Sequence, residues 1–151
     1  MFWLFKTEPD AFSWQDLKQQ SGQKCDWEGV RNYQARNYMK NMKLSEKAFF
    51  YHSNTKIPCI MGIVRISKTA FPDHHAWNPQ SKYYDIKCSP ENPRWFMVEV
   101  TLEKEFSEPI TREELKKIAS LQAMELLRKG SRLSVLPVQP DEWNIIAGLR
   151  K

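Results

Sequence analysis

The chain has 151 residues, a formal net charge of +5, 41% hydrophobic and 13% aromatic residues, and six tryptophans. A chain of this length buries roughly 70% of its unfolded surface, so it needs neither a metal nor a disulfide staple. The three cysteines, Cys25, Cys59 and Cys88, lack CxxC spacing, which argues against a disulfide framework and a zinc site.

The positive balance favours anionic partners, nucleic acid among them. The apolar run at the N-terminus stops at Lys6, too short for a membrane span. The expectation is one domain over residues 1–151, cytoplasmic and monomeric, with no cofactor, no metal and no membrane contact.

In chain order, a strand is expected at Phe2 to Thr7, closed by Glu8-Pro9. Ser13 can cap a helical turn with Asp16 three residues on, and Asn32 can cap a helix to about Met42 with Ala35, Tyr38, Met39 and Met42 as its buried stripe. Strands follow at Lys47 to Tyr51 and Cys59 to Ser67. The proline-rich stretch from Phe71 to Pro93 reads as a long ordered loop, a kind that usually carries function. Arg94 to Leu102 alternates as a strand.

Thr111 with Glu114 makes a capping box for a helix through Ala119, and Ser120 to Lys129 reads as a second short helix ending at Gly130. Leu133 to Val138 is a strand that Pro137 places near an edge, and Asp141 starts a last helix. The sum is an α+β chain: a barrel-like sheet with peripheral helices, without a βαβ rhythm or a glycine-rich phosphate loop.

Five segments concentrate chemistry. At Lys6-Thr7-Glu8-Pro9 the hydroxyl can bond a polar ligand edge and the lysine a phosphate; the alternative is a plain strand terminus. At Trp27 to Ala35 an indole precedes Gly29 and the Asn32 helix start, setting an aromatic face beside backbone donors, as a planar hydrogen-bonding ligand requires. On the same helix Arg36, Lys40 and Lys43, with Arg31 just upstream, form a basic face, either phosphate-binding or merely solvated.

Tyr51 and Ser53 share a side of their strand, with His52 opposite and more typical of a structural residue. Tyr83-Tyr84 packs the long loop or lids an aromatic cage, and Ser131-Arg132 follows Gly130 with an arginine for a phosphate, a carbonyl or a buried carboxylate.

These segments, in this order, resemble the EVE domain family. The matching runs are Trp3 to Pro9, Trp27 to Arg36, Phe49 to Asn54, Tyr83 to Asp85, Pro90 to Trp95 and Gly130 to Val138, spread along nearly the whole chain. Thr7 stands where serine is common, and Ile86-Lys87-Cys88 departs from a frequent Pro-Lys-Ser.

The resemblance implies a PUA-like mixed pseudo-barrel of about five or six strands. It also implies a reader of modified bases, chiefly 5-methyl- or 5-hydroxymethylcytosine in DNA, with RNA as the alternative nucleic acid. The expected base-binding set is Lys6, Thr7, Trp27, Asn32, Tyr51, Ser53, Tyr84 and Ser131, with Trp27, Tyr51 and Tyr84 as cage walls. Arg31, Arg36, Lys40 and Arg132 are the expected phosphate contacts, and no residue is assigned a catalytic role. Base stacking on an aromatic ring supplies about 1–3 kcal/mol. The competing reading is a small ASCH-like amidohydrolase acting on a modified base or nucleoside, although alternation points Thr7 away from Lys6 and Glu8.

Overall fold

The structure is a computed structural model that describes residues 1–150. The elements run β1 (Phe2–Thr7), α1 (Trp14–Gln19), β2 (Lys24–Asp26), α2 (Tyr33–Asn41), β3 (Lys47–His52), β4 (Cys59–Pro72), β5 (Phe96–Thr111), α3 (Arg112–Lys116), β6 (Val135–Val138) and α4 (Pro140–Ala147). The strands form one mixed sheet in the order β2-β5-β4-β3-β1-β6. β1 lies parallel to β3, with Lys6 opposite Tyr51, and antiparallel to β6. The class is α+β and the sheet six-stranded, as expected. It is not closed into a barrel: β2 and β6 are its two ends.

The apolar run Trp3-Leu4-Phe5 is explained by this order. β1 sits inside the sheet, and all three residues are buried. A strand covered on both faces has no reason to alternate. Phe2 and Phe49 stack on Trp143 of α4 at 4.4 and 3.9 Å, which fastens the last helix to β1 and β3. Five of the tryptophans, Trp3, Trp14, Trp27, Trp95 and Trp143, are buried, so the tryptophan content serves mainly the interior.

The caps on α1 and α2 form as expected: Ser13 accepts from the Asp16 N–H, and Asn32 from the Ala35 N–H. Ala35, Met39 and Met42 are buried and Tyr38 partly so. On α3 only half of the expected box forms. Thr111 accepts from the Glu114 N–H, but the Glu114 carboxylate goes to Arg150 at 2.6 Å.

The strands β4 and β5 run far past their predicted ends, because repeated register shifts break the alternation that sequence periodicity relies on. At Gly62 a Cβ would overlap the Lys104 carbonyl and lie 2.6 Å from the Trp14 indole, so the missing side chain is what lets α1 press onto the sheet. The helix expected over Ser120 to Lys129 is instead a pair of 3₁₀ turns, at Ala119–Leu121 and Glu125–Leu127. Leu121, Met124 and Leu126 are all buried there. Met124 and Leu126, two apart, cannot share an α-helical face.

His52 is a structural acceptor. Its Nε2 receives the Trp14 N–H at 3.0 Å, at the start of α1. Burial pushes its imidazole below the ordinary value of 6.5. Protonation would remove the acceptor and set a cation against a helix N-terminus. The unfolded chain therefore binds the proton more readily, and stability rises with pH through this window. The contribution is full above pH 6.5 and is lost as pH falls through the depressed folded value. Urea midpoints of the wild type are expected to drop below pH 6.5, and His52→Gln to flatten that drop. Parallel pH profiles for the two proteins would contradict this.

Candidate nucleic-acid interface

A cleft of about 730 Å³ opens where the end of β1, the segment after β2 and the long loop before β5 meet. Its volume lies in the usual small-ligand range of about 300–1,000 Å³. Three aromatic side chains line it: Phe12, Trp27 and Tyr83. Trp27 is 8% exposed and held from behind, tilted on Phe5 at 4.9 Å and edge-on to Phe50 at 5.6 Å. The indole is thus rigid before any ligand arrives, which lowers the ordering cost of binding.

Tyr83 reaches the cleft because Gly29 has no side chain. Gly29 adopts φ +80°, and a Cβ there would sit 2.5 Å from the Tyr83 ring. The two segments are locked together by Arg31 and Asp73. Arg31 donates Nη1 to the fully buried Asp73 carboxylate at 3.0 Å, and Nε and Nη2 to the Tyr83 carbonyl at 3.2 and 2.8 Å. The same Asp73 oxygen accepts the Gly29 N–H at 3.1 Å. The Arg31 guanidinium also lies over the rings of Tyr83 and Trp95.

The polar lining is mixed. Glu8, Asp26, Glu28 and Glu99 offer carboxylates, Lys24 and Lys82 ammonium groups, and His74 and His75 imidazoles. His75 Nε2 meets a Glu28 carboxylate oxygen at 2.6 Å. Cys25 also lines the cleft, but burial, reinforced by Asp26, Glu28 and Glu99, pushes its thiol up to about 12. It is no thiolate at neutral pH. The Thr7 hydroxyl donates to the Phe12 carbonyl at 2.9 Å, not to a base. The geometry therefore presents stacking surface and hydrogen-bonding edges, and neither Cys25 nor Thr7 is an activated nucleophile.

Of the expected base-binding residues, Lys6, Thr7 and Trp27 border this cleft and the rest do not. Lys6 is half-buried, and burial together with nearby Arg112 lowers its pKa against the opposing pull of Glu125. Tyr51, its register partner, is 3% exposed, and burial pushes its phenol up to about 12. It is an interior residue, not a cage wall. Ser53 lies just past β3, its N–H given to the Thr7 carbonyl, and does not line the cleft.

Asn32 spends its side-chain oxygen on the Ala35 N–H and borders a separate hollow of about 400 Å³ with Arg132. Ser131 donates to Glu125 at 3.0 Å. Tyr84 is 43% exposed and outside the cleft, which its neighbour Tyr83 enters instead.

The expected phosphate contacts divide as well. Arg31 is the internal clamp, and Arg36 donates to the Arg94 carbonyl while lying 4.8 Å above the Tyr33 ring. Lys40 sits over Phe96 but is exposed, and Arg132 is exposed at the second hollow.

Residues missed in sequence were Phe12, Tyr83 and the carboxylates of Glu8 and Glu28. Glu8 and Tyr83 lay inside matching runs, and Gly29 was the one local signal that something must approach closely. Nothing local marks Phe12.

Comparison with known proteins identifies the family. The EVE domain matches residues 1–149. Thymocyte nuclear protein 1 of Mus musculus is 39% identical over 167 residues, covering 99% of this chain and 74% of that protein. A crystal structure of a Pseudomonas putida protein superposes with a TM-score of 0.94 at 41% identity, covering 100% of both chains. Human thymocyte nuclear protein 1, solved in complex with 5-methylcytosine-containing DNA, superposes at 0.92 with 38% identity, over 98% of this chain and 96% of that one. An ASCH protein of Zymomonas mobilis shares the fold alone, with a TM-score of 0.56 and 11% identity. With its motifs, its sheet and its whole length matched in this way, the chain belongs to the EVE domain family.

Proposed function

We propose that this protein reads a modified cytosine in DNA, holding the base in the Trp27 cleft without altering it. The observation that carries the reading is a rigid indole and a second ring, Tyr83, lining one cleft rich in acceptors. The human relative bound to 5-methylcytosine-containing DNA supports it. A base in a duplex cannot enter a pocket, so the protein takes an unpaired nucleotide or extrudes one at a cost of a few kcal/mol. Stacking returns about 1–3 kcal/mol per ring contact.

The exocyclic amine of cytosine needs an acceptor, and Glu8 and Glu28 line the cleft with a second carboxylate oxygen beside the one that meets Asn54 or His75, whereas Asn32 lies outside it and gives its oxygen to the Ala35 N–H. A carboxylate facing that amine also disfavours thymine, which presents a carbonyl there. A 5-methyl group adds apolar contact against the aromatic lining, worth about 1 kcal/mol by area. Lys40 and Arg132 serve as phosphate contacts in this reading, because both are exposed while Arg31 and Arg36 are engaged internally.

The test is binding of Tyr83→Ala to an oligonucleotide with one 5-methylcytosine, beside unmodified and thymine controls. The variant keeps the Arg31 contact, which uses the Tyr83 backbone carbonyl. A loss of about 1–3 kcal/mol is expected, roughly 5- to 150-fold in Kd. Affinity equal to the wild type would sink the reading, as would release of an altered base on incubation.

A further inference from the structure

The loop that delivers Tyr83 to the cleft carries, three residues on, the most exposed large apolar side chain among the described residues. Ile86 is 81% exposed. A single exposed isoleucine is ordinary on a surface, but this one is held in place. Asp85 pins the turn beneath it: its N–H donates to the Ala76 carbonyl at 2.7 Å, and its carboxylate accepts from Trp95 Nε1 at 2.8 Å and from the Lys87 N–H at 3.0 Å. The Cys88 N–H closes the turn onto the Asp85 carbonyl at 2.9 Å. Such a turn fixes the backbone under Ile86, and a β-branched side chain has few rotamers to lose.

Two exposed lysines, Lys82 and Lys87, flank this point, where neutralisation of phosphates would favour nucleic acid. Ile86 lies within roughly 10 Å of Tyr83 along the chain. One nucleotide can then have its base in the cleft while the place it left in the stack lies beside Ile86. Proteins that unstack DNA do so by inserting apolar side chains, isoleucine among them, between base steps.

We infer that Ile86 is an intercalating wedge for double-stranded DNA, entering the stack where the cytosine is drawn out. The inference rests on the base-reading role of the Trp27 cleft. The wedge works only on a duplex, because an unpaired strand leaves no stack to fill.

The test compares wild type and Ile86→Ala on a duplex with one 5-methylcytosine and on the same strand unpaired, with 2-aminopurine next to the modified base to report unstacking. Ile86→Ala is expected to weaken duplex binding roughly tenfold and to reduce the fluorescence rise, with the unpaired strand bound as by wild type. Unchanged duplex affinity and fluorescence, with the unpaired strand held normally, would overturn the wedge and leave the cleft reading standing. Equal losses on both substrates would also overturn it, marking the loop as a general contact. If wild type fails to hold the unpaired methylated strand at all, the cleft reading falls and the wedge with it.

Discussion

Trp27→Ala is expected to cost about 3–5 kcal/mol of stability and to abolish detectable binding of methylated oligonucleotides. The two losses have one cause. Trp27 packs against Phe5 and Phe50 on its buried side and borders the cleft together with Phe12. Truncation leaves a void beneath the cleft and removes the stacking surface together. Since a domain of this size is stable by about 5–15 kcal/mol, the variant should still fold in the cold.

Trp27→Phe separates the contributions: it keeps part of the packing and a smaller ring, so stability should recover further than affinity does. Urea denaturation and oligonucleotide titration measure the two effects. A folded Trp27→Ala that binds like the wild type would place the base somewhere else in the molecule.

Arg31→Ala is expected to destabilise the fold by about 3 kcal/mol, far more than its partial exposure suggests. The reason is Asp73, fully buried, whose charge would be left facing only the N–H groups of Gly29 and His75. Arg31 also holds the Tyr83 carbonyl, so its loss should loosen the loop and weaken base binding. Arg31→Lys should recover little, because one ammonium cannot span the carboxylate and the carbonyl as the guanidinium fork does. Adding Asp73→Asn to Arg31→Ala should restore part of the stability by removing the orphaned charge. A change within about 0.5 kcal/mol on Arg31→Ala would show that the clamp contributes nothing.

Much of the fold follows from short-range chemistry. Ser13, Asn32 and Thr111 each cap the helix they begin, since a cap involves only backbone groups two or three residues away. β1 and β3 were legible because hydrophobic runs bounded by turn residues are local signals. β2 was not, being three residues long with only Cys25 partly buried; its pairing with β5 makes it a strand. The extensions of β4 and β5 were hidden for the same reason, since bulges are defined by a partner.

The candidate site shows the same division. Sequence alone pointed to Lys6, Thr7 and Trp27, to a glycine that something must approach, and to a long loop that should matter. It assigned the wall to Tyr84 where Tyr83 enters the cleft, because the choice depends on how the loop meets Gly29, 54 residues away in the chain. Nor could it separate Tyr51 from a cage wall: alternation assigns a side of the sheet but says nothing of what covers it. Local rules decide what a residue can do within a few bonds of its own backbone. Which groups meet across the cleft, and which arginine is consumed in holding it open, is decided only when distant segments pack and bury each other's charges.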